Sequence, residues 1–318
     1  MTGINKQTIA IALVMMSIFI AAIMITVFSG NAQQKEDRIS VVTSFYPIYS
    51  AVSRLTQGID GVEVINLTPS QTGCLHDYQL VPDDIIALTN ADALVINGLG
   101  MESFLEDSID LNPDIKVLDT SIGATLLPGI HSHNEHHSEH YDQHEHENQF
   151  NEHIWTSPSN HIIQVKNIKD FLVKIDPEHA DEYNNNAKNY ISEIEDIKNE
   201  LINTARMLPT KNCIVFHDSL CYFAKEMGFS PIAMLSLGEQ SYLSASQLAD
   251  AASAAKKSSK VLLLYDMQHD AKYNNVADGA SYVRILKLDT AVAGKANDAD
   301  AWINAMRHNL MQLKEAVN

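Results

Sequence analysis

Past Arg38 the chain alternates short β-branched runs with stretches whose apolar positions recur every three to four residues. The short runs in the first half are Ile39–Thr43, Val62–Leu67, Ala93–Asn97 and Ile115–Asp119. Those in the second are Asn212–His217, Pro231–Leu235, Val261–Tyr265 and Val283–Asp289. Strands separated by helices predict βαβ units and parallel sheets. The expected fold class is α/β, with two lobes over 35–175 and 210–318. Each lobe is expected to be a mostly parallel four-stranded sheet with flanking helices, and one long rigid backbone helix over 176–209 joins them. In that helix Asp176 suits the N-cap, Pro177 the first position and Glu178 the positive dipole end. Ala180, Tyr183, Ala187, Ile191, Ile194, Ile197, Leu201 and Ala205 then mark one face, and Pro209 stops the run. Residues 177–208 would reach roughly 48 Å, enough to run along both lobes. Asn184, Asn185 and Asn186 are poor helix formers and predict fraying of the first turns. A helical connection predicts a small opening and closing rather than a wide clamp.

Ahead of this pattern lies an uncharged stretch from Thr8 to Phe28, preceded only by Lys6. As a helix it is long enough for a hydrocarbon core of about 30 Å. Residues 1–34 are therefore expected to be a signal peptide or an N-terminal membrane anchor, with a small-residue cleavage site at Gly30-Asn31-Ala32. Either function puts the rest of the chain outside the cytoplasm, as an exported protein of the cell surface or periplasm. The 318 residues carry 22 Lys and Arg against 40 Asp and Glu, a formal charge of −18. That field attracts cations and excludes nucleic acid, whose phosphates need a basic stripe. Three Cys cannot staple a chain of this size, so stability must come from packing.

Fourteen His change the picture, because seven fall in the segment 131–147: His131, His133, His136, His137, His140, His144 and His146. With five acidic residues and a single bulky side chain besides His, Tyr141, this segment cannot fold by itself. It is expected to be a disordered loop offering accessory metal ligands of low affinity. Three other His sit in ordered contexts. His76 follows the second strand, His153 follows the His-rich loop, and His217 closes the strand from Asn212. Asp289 ends the last strand in the same way. Ligands of open parallel sheets bind beyond the carboxyl ends of strands, and three imidazoles with one carboxylate satisfy tetrahedral zinc. Asp77, Glu152 and Asp218 flank these His and are candidates to accept the second imidazole N–H. His161, His179, His269 and His308 read as surface or helix-end residues. Cys213 reads as core; Cys74, two residues from His76, could offer zinc a thiolate but reads rather as a buried small side chain or half of a disulfide with Cys221.

From about Arg38 to the C-terminus the chain resembles the solute-binding components of zinc and manganese ABC importers. The resemblance is carried by Thr43-Ser44-Phe45-Tyr46-Pro47, Gly73 to Tyr78, and Asn97-Gly98-Leu99-Gly100-Met101-Glu102. It continues through His153-Ile154-Trp155 with Pro158, and Phe216-His217-Asp218. It implies metal ligands at His76, His153, His217 and Asp289, with the His-rich loop collecting zinc beside the site mouth. Manganese-type relatives typically carry Glu at the third position, so His217 favours Zn²⁺ over Mn²⁺. Two departures keep the fourth ligand open to Asp266 or water. Asp289 is followed by Thr290 instead of Pro, and Asp266 stands where a Glu is usual.

The function expected is capture of Zn²⁺ by a monomer between two lobes and its delivery to an ABC permease and its ATPase subunit. The protein is not expected to be an enzyme: there is no H-E-x-x-H pair, and neighbours along a strand point in opposite directions. The alternatives are a surface zinc buffer or adhesin on the same fold, or manganese as the physiological metal.

Overall fold

The computed structural model describes Met15 and residues 38–72, 75, 78–129, 150–235, 243–268 and 274–318. The uncharged stretch of 8–28 apart from Met15, the His-rich segment, His76, Cys74 and His269 lie outside these residues. Among the described residues no helix is long and apolar enough to cross a membrane.

The first lobe runs β1 (Ile39–Thr43), α1 (Tyr46–Thr56), β2 (Val62–Asn66), α2 (Pro82–Asn90), β3 (Ala93–Ile96), α3 (Glu106–Ile109) and β4 (Lys116–Asp119). Then come α4 (Pro158–Ile175), a 3₁₀ turn Pro177–His179 and the long helix α5 (Ala180–Met207). The second lobe follows with β5 (Asn212–Val215), α6 (Cys221–Glu226), β6 (Ser230–Met234), α7 (Ala245–Ser258), β7 (Lys260–Asp266), β8 (Tyr282–Leu288) and α8 (Ala301–Val317). Both sheets are parallel, in the orders β2-β1-β3-β4 and β6-β5-β7-β8. In each, the chain reverses its direction of growth across the first strand. The crevice beyond β1 and β3 in one lobe, and beyond β5 and β7 in the other, is where such sheets bind ligands.

Period-two alternation sends successive side chains to opposite faces, and the apolar runs use both. Val41 enters a core shared by both lobes while Val42 enters a cluster of the first lobe alone. Cys213 and Val215 likewise face the shared core, as expected of Cys213, and Ile214 and Phe216 a second-lobe cluster. The shared core includes Ile48, Trp155, Leu172, Ile194, Leu201, Leu264, Trp302 and Leu313. One face of each sheet therefore rests on common apolar material, while the other closes a smaller cluster of its own lobe.

α5 is 28 residues long, about 42 Å, and packs on α1, α4 and α8. It buries Tyr183, Ala187, Ile194, Ile197, Leu201 and Ala205 as the periodicity predicts, leaves Ala180 and Ile191 only partly covered, and adds Tyr190, which the periodicity did not mark. The Asn run is not a weak point. Asn184 Nδ2 donates to Ala180 O at 2.7 Å, and Asn186 Nδ2 donates to Leu55 O and Gln57 O, capping the end of α1. The Asp176 side chain caps no N-terminus, and its backbone N–H instead closes α4 on Leu172 O at 2.9 Å; its Oδ2 accepts from the Tyr183 hydroxyl at 2.7 Å and faces His179 Nδ1 at 2.8 Å. Polar ties reinforce the packing. Glu193 on α5 receives Arg54 from α1 at 2.7 Å and Arg307 from α8 at 2.8 Å. Tyr46 Oη donates to Lys295 O at 2.6 Å and Ser50 Oγ to Ala299 O at 2.9 Å. At Gly294 a Cβ would sit 2.5 Å from Tyr46 Oη, so only glycine permits that approach.

His161 differs from the sequence reading. It is fully buried, stacked on Trp302 with centroids 4.2 Å apart, and its Nε2 lies 3.0 Å from the Tyr190 hydroxyl. Burial pushes its pKa down to about 3, so it serves the core as a neutral ring. Its spacing to Val165, Ile168 and Leu172 is the helical signal of a core position.

The crevice of the first sheet is filled by a carboxylate of the protein itself. Glu102 accepts from Ser44 Oγ at 2.8 Å, Asn97 N–H at 2.7 Å and Gly98 N–H at 3.0 Å. Burial, aided by nearby Asp119, raises its pKa to about 7 against those three donors. A raised pKa means that Glu102 contributes its full stability below the ordinary carboxylate range and loses it as pH climbs towards 7. Glu102→Gln is neutral throughout, but its amide NH₂ confronts one of the two backbone N–H groups. It should cost about 1–3 kcal/mol in urea melts at pH 5, with the deficit narrowing by pH 8. A deficit constant with pH would refute the raised titration of the buried Glu102 carboxyl.

Candidate metal centre

The crevice of the second sheet holds the candidate chemistry. Beyond β5 the chain leaves through Phe216 and His217 into a 3₁₀ turn, Asp218–Leu220, while β7 ends on Asp266 itself. His217 caps that turn: its Nδ1 lies 3.2 Å from the Ser219 backbone N, 2.8 Å from Ser219 Oγ and 3.3 Å from Asp218 Oδ1. His153 comes from the first lobe, where a 3₁₀ turn, Ile154–Thr156, leads into α4. Its segment is stitched to the His217 turn. Asn151 Nδ2 donates to Asp218 O at 3.0 Å, Thr156 Oγ1 to Ser219 O at 2.9 Å, and the Tyr222 hydroxyl to Asn151 O at 2.6 Å.

These bonds bring two of the expected imidazoles together. The rings of His153 and His217 stand 5.8 Å apart between centroids and nearly perpendicular, at 84°. One ligand atom from each of His153, His217 and Asp218 lies within 4.8 Å of the others, the group among the described residues suited to hold a metal ion. His153 is buried, and His217 and Asp218 are partly exposed, so the group opens to solvent on one side. Imidazole nitrogen with carboxylate oxygen is a donor set for zinc and other borderline divalent ions.

Asp289 is not in that group. It lines a neighbouring recess of about 350 Å³ with Gln71, Met267, Gln268, Ala293 and Gly294. Its Oδ1 accepts the Ala291 N–H at 2.8 Å; burial raises its pKa, and the nearby Asp266 carboxylate adds to the rise. Asp266 points inward instead. Its Oδ2 accepts from Thr290 Oγ1 at 3.0 Å and Ser219 Oγ at 3.3 Å, and its Oδ1 accepts the Gln268 N–H at 3.1 Å. Cys213 and Cys221 are free, buried thiols, each raised to about 12 by burial.

The sequence reading missed the partners that aim these rings. Asn151 Oδ1 lies 3.0 Å from His153 Nδ1 and also accepts the backbone N–H of His153 at 2.9 Å. Both bonds require oxygen at that position, so Nδ1 carries the ring proton. The Asn-x-His and His-x-Ser spacings, with a short polar side chain two residues away, were the available signal. Asn97 sets the depth of the segment by donating from Nδ2 to Glu152 O at 2.9 Å. Asn151→Ala removes the acceptor at Nδ1. The ¹⁵N spectrum of metal-free His153 should pass from the Nδ1–H tautomer to a mixture; an unchanged spectrum would show that Asn151 does not set it.

Comparison with known proteins gives the family and the related folds. The profile of the family described as ZnuA, zinc-uptake complex component A, periplasmic, matches residues 41–316. The chain is 30% identical over 294 residues to the high-affinity zinc uptake system protein ZnuA of Bacillus subtilis, covering 91% of this chain and 90% of that one. It is 27% identical to the iron-binding protein YfeA of Yersinia pestis, over 64% of this chain and 61% of that one. Among solved structures, the metal-dependent lipoprotein YcdH from Bacillus subtilis superposes with a TM-score of 0.67 at 25% identity, covering 87% of this chain and 98% of that one.

Proposed function

The chain belongs to the zinc-uptake complex component A family of periplasmic metal-binding proteins, and from that premise we propose that it captures Zn²⁺ between its lobes and delivers it to an ABC permease powered by its ATPase subunit. Proteins of this family bind a metal for transport and are not enzymes. The observation that carries the reading is the meeting of His153 and His217, from different lobes, with ring centroids 5.8 Å apart. The proposed ligands are His76, His153, His217 and Asp289. Asp218 lies on the Nδ1 side of His217, which suits an orienting partner better than a ligand to an ion at Nε2. Asp266, already accepting three hydrogen bonds, is set aside as the fourth ligand.

Imidazole at the third position favours zinc over the harder manganese ion. The seven His of 131–147 act as a weak collector beside the site. Binding needs unprotonated imidazole, so affinity falls as pH drops through the ordinary His range. Delivery bounds the affinity of a passive site. With association near 10⁸ M⁻¹s⁻¹, a ~nM site releases its ion at about 0.1 s⁻¹, and tighter binding requires the permease to distort the coordination.

Titration of the purified protein with zinc against a competing chelator tests the assignment. His217→Ala should abolish the tightest site, whereas deletion of 131–147 should leave it intact and lower only the total stoichiometry. Equal losses in the two variants would show that the primary site lies elsewhere.

A further inference from the structure

We propose that Ser219, backed by Asp266, is a positioning residue whose hydroxyl reverses direction to hold the His217 tautomer that takes metal at Nε2. This rests on the reading of His217 as a ligand. Ser219 and Asp266 are buried, at 2% and 4% exposure, so water does not substitute freely for either. Ser219 Oγ lies 2.8 Å from His217 Nδ1 and 3.3 Å from Asp266 Oδ2. It has one proton and two neighbours that both accept when Nδ1 is bare. A carboxylate only accepts, and Thr290 Oγ1 and the Gln268 N–H fix Asp266 so that Oδ2 stays aimed at the hydroxyl.

Two arrangements follow. With the ring proton on Nε2, Nδ1 accepts from the Ser219 hydroxyl beside the Ser219 backbone N–H. Metal at Nε2 displaces that proton, and the neutral ring carries one at Nδ1 instead, exchanged through solvent. Nδ1–H then donates to Ser219 Oγ, whose own proton turns to Asp266 Oδ2. The ring stays neutral and both hydroxyl and ring N–H keep an acceptor; only the Ser219 backbone N–H, 3.2 Å from Nδ1, gives up its own. Asp218 Oδ1, at 3.3 Å from Nδ1 and with a 27% exposed side chain, is the competing acceptor, more distant and wetter than the hydroxyl. Asn151 supplies a fixed acceptor for His153; Ser219 supplies one that serves His217 in both forms.

The test is zinc affinity of the full chain by chelator competition, with ¹⁵N spectra of labelled His. Ser219→Ala should weaken binding 10- to 100-fold, the usual effect of losing such a partner, and Ser219→Thr, which keeps the hydroxyl, should restore it to within about threefold. Asp266→Asn should weaken binding by a larger factor in the wild-type background than on top of Ser219→Ala, where only its influence on Asp289 remains. In the zinc-loaded protein the His217 Nδ1–H should resist exchange in wild type and Ser219→Thr, and exchange rapidly in Ser219→Ala. Unchanged affinity in Ser219→Ala, equal losses in the Ala and Thr variants, or a loss confined to Asp218→Asn would overturn the proposal. Tight binding that survives His217→Ala would instead remove the ligand reading beneath it.

Discussion

Two imidazoles on separate lobes can share an ion only if the lobes are held in fixed register, and buried hydrogen bonds across the interface do the holding. Trp155, two residues beyond His153, donates its indole N–H to Thr290 O at 2.8 Å, and Trp302 donates its own to Trp155 O at 2.9 Å. Both indoles are fully buried in the shared core. A carbonyl left unpaired at that depth costs about 1–3 kcal/mol, so the register cannot slip by a residue without losing several such bonds. The same bridge ties the His153 segment to the loop after Asp289. Large hinge motion would break it; small tilts of the lobes about α5 would not.

The two crevices, alike in topology, have been put to different uses. In the first lobe Glu102 occupies the switch point and organises backbone N–H groups from within, so that lobe presents a rigid platform rather than a ligand site there. Asn97, held by that platform, grips Glu152 O and thereby sets how far His153 protrudes. In the second lobe the switch point carries His217 and Asp266, and the hydrogen bonds run outward from buried carboxylate through Ser219 to the imidazole. The first crevice thus supplies position and the second supplies chemistry, while the imidazoles that meet come one from each lobe.

Much of this was legible in the residues. Short β-branched runs gave eight strands whose ends shift by about one residue in the structure, because a strand ends where its ladder partner does and not where its hydrophobicity does. The long helix was legible from its three-to-four spacing. His153 and His217 were legible from their places after a low-complexity loop and at a strand end. What escaped were the properties that depend on distant partners. Asn186 looks like a helix breaker until Leu55 and Gln57 offer carbonyls for it to cap. His161 looks like an ordinary polar residue until Trp302 stacks on it. Ser219 has no chemistry alone and acquires it only between His217 and Asp266. The single shared core was equally hidden, because hydrophobic pattern reports which residues are buried and not against which lobe.

The central claim is that one ion is gripped jointly by side chains that the chain separates widely. A crystal of the zinc-loaded full chain, with anomalous scattering collected on both sides of the zinc edge, tests it most directly. A single peak 2.0–2.1 Å from a ring nitrogen of His76, His153 and His217 alike is the predicted result. Zinc peaks that leave His153 and His217 without a common ion would contradict it.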